Sequence, residues 1–151
     1  MGIFNKLAGG KDPFEIPADI SRSDLQKAVC LIGIFAIGSD GHFDRNEVID
    51  LKNSMIGMSL FNGGIETILG QAERLFDKDR TRALSWACKV CTQVGWQETA
   101  FTLACSLVFS DGELDPDEAK FIVDLSGDLK LETSFVQAVA NTYSSLYRQP
   151  Q

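Results

Sequence analysis

Apolar residues recur along this chain at helical spacing, and two stretches are apolar on nearly every side. The first is Ala28-Val29-Cys30-Leu31-Ile32, inside a helix that Ser21 or Ser23 caps and that runs to about Gly38. The second is Glu98–Phe109, its counterpart in the later half. An all-round apolar helix is a buried one. Between and around them the pattern predicts further helices from Asp44 to about Met58, over Ile65–Phe76 after the break at Gly63-Gly64, and over Arg80–Val94 before Gly95. Two more are expected from Asp115 to about Ser126, where Gly127 closes the turn, and over Thr133–Tyr147. No stretch sustains period-two alternation with β-branched enrichment. The expectation is an all-α fold of about seven helices.

With 151 residues the chain suits one domain with a real core. Residues 1–20, with two adjacent glycines and with Pro13 and Pro17, read as a flexible leader, and 21–151 as a single helical domain. The start lacks the apolar core of a signal peptide, and Lys6 stands where a myristoylation signal wants Ser or Thr. No apolar run approaches the roughly 20 residues that span a bilayer. Four cysteines without an export signal read as reduced thiols of a cytoplasmic protein.

The corners after the two apolar helices carry the same motif. Ser39-Asp40-Gly41-His42-Phe43-Asp44-Arg45-Asn46-Glu47 recurs 71 residues later as Ser110-Asp111-Gly112-Glu113-Leu114-Asp115-Pro116-Asp117-Glu118. Repetition on that scale indicates a duplicated unit, with halves at about 24–75 and 95–147 related as an internal two-fold repeat of helix–turn–helix units. Helix punctuation explains much of it: glycine at a C-terminal cap, Asp44 and Asp115 as N-caps, Glu47 and Glu118 completing capping boxes, Pro116 at the first helical position. It leaves Asp40 and Asp111 unexplained, since each is an anion near a helix C-terminus, where the macrodipole disfavours it.

The charge follows the motif. The net charge is −7, and between Ser110 and Asp128 seven acids face one base, Lys120. An acidic chain is unsuited to nucleic acid and to direct electrostatic docking on an anionic membrane. Asp40, Asp44 and Glu47 with Asp111, Asp115 and Glu118 form a set of hard oxygen ligands suited to Ca²⁺, Mg²⁺ or Mn²⁺. An EF-hand is excluded, because its sixth and twelfth positions would be Arg45 and Leu51, or Pro116 and Ile122, in place of glycine and glutamate.

The doubled S-D-G-x-Φ-D-x-x-E (Φ apolar), each copy after an apolar helix, resembles the tellurite-resistance protein B family, the TerB-like domain, over roughly Leu25 to Leu131. The resemblance implies an all-helical fold with internal pseudo-symmetry and an acidic face that holds divalent cations through the six motif carboxylates. It also implies a role in bacterial tellurite resistance or stress response beside protein partners, including membrane-associated complexes that would hold the protein at the inner membrane. Related domains occur attached to chaperone J-domains. This sequence departs from the pattern in its first copy, which carries His42 and Arg45 and fewer acids.

Other chemistry is sparse. Cys88-Lys89-Val90-Cys91 falls in mid-helix, away from the helix N-terminus that activates a redox C-x-x-C, and Leu84, Cys88, Cys91 and Val94 share a face. One histidine is too few for a zinc site with these cysteines or for ordinary acid–base catalysis. No nucleophile stands beside a base and no phosphate-binding loop occurs, so the expectation is a non-enzymatic protein. Two alternatives stay open: a metal-free interaction scaffold, of J-domain co-chaperone or membrane-complex adaptor type, and a thiol redox protein using Cys88 and Cys91.

Overall fold

Local capping signals divide the chain into helices. In the computed structural model, which describes residues 12–38, 45–110 and 114–146, these are α1 (Arg22–Ile37), α2 (Arg45–Ile56), α3 (Ile65–Lys78), α4 (Arg80–Gln93), α5 (Gln97–Val108), α6 (Pro116–Asp128) and α7 (Thr133–Leu146). They match the seven expected elements within a few residues, and no strand occurs among the described residues.

Ser21 caps α1 in a reciprocal box with Asp24, each side chain accepting the other's backbone N–H at 3.0 Å. Asp79 alone separates α3 from α4. Its extended backbone ends one helix, and its Oδ1 accepts the Arg82 N–H at 3.1 Å to start the next. Helix α4 closes in a Schellman motif: Gly95 takes φ +75°, its N–H reaches Thr92 O, and the Trp96 N–H donates to Cys91 O at 2.8 Å.

The two apolar helices form the centre. Helix α1 is covered by α2, α3, α4 and α5, which is why Ala28 through Ile34 are buried on every side. Helix α5 contacts α1, α2, α4, α6 and α7 and buries Ala100, Phe101, Leu103, Ala104, Cys105 and Val108. The outer helices are amphipathic; α3 buries only Ile68, Leu69, Ala72 and Phe76. No polar or charged side chain is buried among the described residues. The order of apolar helix, helix begun in an acid-rich turn, and amphipathic helix occurs in α1–α2–α3 and again in α5–α6–α7.

Residues 12–20 form no helix but lie against the bundle. Phe14 is buried under the Arg82 guanidinium, 4.9 Å from its ring centroid, while Arg82 pairs with Asp12 and the Trp86 Nε1–H donates to Glu15 O at 3.2 Å. The first hydrogen bond holding the Asp12 carboxylate comes from the Phe14 N–H. With Arg82 it keeps that carboxyl below its usual range despite some desolvation.

Candidate functional site

The second acidic corner is built by helix-start chemistry. Asp115 is the N-cap of α6, its Oδ1 accepting the Glu118 N–H at 2.8 Å, and Glu118 Oε1 accepts the Asp115 N–H at 3.2 Å. Pro116 occupies the first turn, where its missing N–H costs nothing. The capping box read from the sequence is therefore present. Each of these two carboxylates spends one oxygen on the backbone.

Of the other motif acids, Glu47 lies in the first turn of α2 and is half-buried. Asp40, Asp44 and Asp111 lie outside the described residues. Helix α2 packs on α1, α3 and α5, whereas α6 packs on α5 and α4. No group of three or more His, Cys, Asp or Glu side chains converges among the described residues.

Beyond its cap, α6 presents an acidic outer surface. Asp117, Asp124 and Asp128 are exposed, and Lys120 is tied to Asp124 at 2.6 Å. Leu114, 40% exposed, and Val123, 66% exposed, stand among these acids.

The four thiols are buried in the core. Burial pushes each of them up to about 12, and for Cys88 the Asp128 and Cys91 charges add to that rise. A redox C-x-x-C needs the opposite displacement, toward a thiolate at neutral pH.

A cavity of about 750 Å³ runs along α4, a feature that motif reading overlooks. Ile16, Phe35, Leu84 and Cys88 give it an apolar floor, and Arg80, Lys89, Lys130 and Asp128 lie around its edge. One sequence signal pointed to it. Helix α4 carries Arg80, Arg82 and Lys89 and no acid, in a chain of net charge −7. A more open groove of about 400 Å³ between α2, α5 and α7 is lined by Met58, Leu103, Phe135 and Tyr143, with Glu98 as its one charge.

Comparison with protein-family models, with curated proteins and with solved structures finds no match.

Proposed function

We propose that this protein acts by binding rather than by catalysis, as a cytoplasmic bacterial stress-response protein of the tellurite-resistance B type. Its acidic face, formed by α6 and the corner before it, holds a divalent cation of the Ca²⁺, Mg²⁺ or Mn²⁺ class and meets a protein partner. A membrane-associated complex is one such partner. No helix among the described residues is long and apolar enough to cross a membrane.

The observation that carries the reading is the excess of acid in α6 and the corner before it. Seven acids stand against one lysine between Ser110 and Asp128, and that lysine is already paired. Exposed Val123 and Leu114 within the acidic surface add the apolar contact that protein interfaces use at their centres. A specific observation also favours a metal-free scaffold. Asp115 and Glu118 already serve as a cap, so the partner contact is sufficient by itself to account for the acids.

Calorimetric titration of the chelator-treated protein with Ca²⁺, Mg²⁺ and Mn²⁺, beside Asp40→Asn, Asp111→Asn and Asp115→Asn, separates the two. Micromolar binding that the substitutions abolish supports the ion. An absence of binding at millimolar ion retires it and leaves the acidic face to a basic partner.

A further inference from the structure

The cavity along α4 is independent of the acidic corner and has the shape and charge of a ligand site. Its α4 residues fall in four pairs one turn apart: Arg80 and Thr81, Leu84 and Ser85, Cys88 and Lys89, Thr92 and Gln93. At a rise of 1.5 Å per residue, this stripe makes a groove about 20 Å long. Ile16 from the segment before α1, Phe35 from α1, Asp128 at the end of α6 and Lys130 just after it also line it. Its volume lies within the range of small-molecule sites.

The sign of its charge is reversed relative to the protein. Arg80, Lys89 and Lys130 oppose Asp128 alone in a chain of net charge −7. Arg80 is stacked on the Phe76 ring, 4.5 Å from its centroid, and no described carboxylate forms a salt bridge with Lys89 or Lys130.

Lys130 is held there against its backbone preference. Helix α6 ends in the same Schellman motif as α4, with the Leu131 N–H donating to Ser126 O and the Lys130 N–H to Gly127 O, both at 3.0 Å. The residue at the left-handed position is glycine in α4 but Lys130 in α6, at φ 56°. A strained non-glycine residue on the rim of a cavity is a pointer to function.

We propose that this groove binds a single-chain anionic amphiphile, a free carboxylate of the fatty-acid class. Its tail lies on Ile16, Phe35, Leu84 and Cys88, and its head meets Lys89 and Lys130. The length and apolar floor favour a linear ligand over a compact one, and the cationic rim selects an anion.

The test is calorimetric titration of the full chain with dodecanoate below its micellar concentration. Dodecyltrimethylammonium and vesicles of phosphatidylglycerol serve as comparison probes. Saturable binding of one dodecanoate is expected, at least about tenfold tighter than the cationic analogue and weakened by salt. Lys89→Glu with Lys130→Glu changes only exposed side chains and should weaken binding about tenfold or more. Ser85→Trp, also at an exposed position, should abolish it by filling the groove, with circular dichroism confirming the fold. The proposal is overturned if monomeric dodecanoate does not bind, if the cationic analogue binds equally well, or if the double charge reversal leaves affinity unchanged. It is also overturned if the protein attaches only to the vesicles, which would assign the basic rim to a membrane surface.

Discussion

Gly33 of α1 and Leu51 of α2 meet with no room for a methyl group between them. A Cβ on residue 33 would fall closer than 3.0 Å to Leu51 Cδ1, and Leu51 is itself fully buried. Glycine in mid-helix normally weakens the helix by about 1 kcal/mol relative to alanine. Here it permits the close approach of the two helices. Gly33→Ala should therefore destabilise the protein. Overpacking of roughly 1–3 kcal/mol offsets the propensity gain of about 1 kcal/mol, for a net loss of up to about 2 kcal/mol. Denaturant unfolding of Gly33→Ala, Leu51→Ala and the double variant should show the double variant losing less than the sum of the two. Strict additivity would refute the steric coupling.

Lys130→Gly should raise stability. Relief of the left-handed conformation, about 1–2 kcal/mol, exceeds the extra unfolded-state entropy of glycine, about 0.5–1 kcal/mol. A melting temperature higher by roughly 2–4 °C is expected. The same variant should bind dodecanoate more weakly, which separates the two roles of residue 130. A more stable variant with unaltered affinity would remove Lys130 from the ligand site.

Asp115 tests cap against cation. Asparagine caps a helix about as well as aspartate, whereas alanine does not, so without metal Asp115→Ala should lose about 1 kcal/mol and Asp115→Asn much less. If the carboxylate also holds an ion, stabilisation by Ca²⁺, Mg²⁺ or Mn²⁺ disappears in both variants. Retention of that stabilisation in Asp115→Asn would exclude this carboxylate as a ligand.

The thiols set an alkaline limit. Each folded-state value is raised from 9.0 to about 12, so the stability that the neutral buried thiols provide is intact below pH 9 and is lost as pH rises from 9 toward 12. Within that window each thiol contributes a loss of about 1.4 kcal/mol per pH unit. Cys91→Ala should flatten the stability curve above pH 9 by one thiol's share, whatever it costs in packing at neutral pH. Disulfide reagents should label Cys88 and Cys91 only as fast as the protein opens. Rapid labelling of both in the native state would revive the redox alternative.

The helix boundaries were legible in the sequence because they rest on contacts between near neighbours. Ser21 and Asp24, Asp79 and Arg82, Gly95, and Asp115 with Pro116 and Glu118 each act within a few residues. The two central helices were equally legible, since burial on all sides requires an apolar residue at every turn. Of the acidic site, the sequence disclosed the capping of Asp115 and Glu118 but could not establish whether distant carboxylates share an ion. Convergence depends on which helices pack together, and periodicity does not encode that.

What the sequence alone determined is the all-helical class, the seven elements and the concentration of negative charge around α6. Each follows from composition and short-range hydrogen bonding. Only the tertiary structure decided that Ile16, Phe35 and Lys130, far apart in the chain, line one groove on α4, and that Phe14 and Glu15 are held by Arg82 and Trp86. Hydrophobic burial is non-directional, so an apolar residue's identity says that it will be covered but not by what. The covering partner is chosen by the packing of the whole chain.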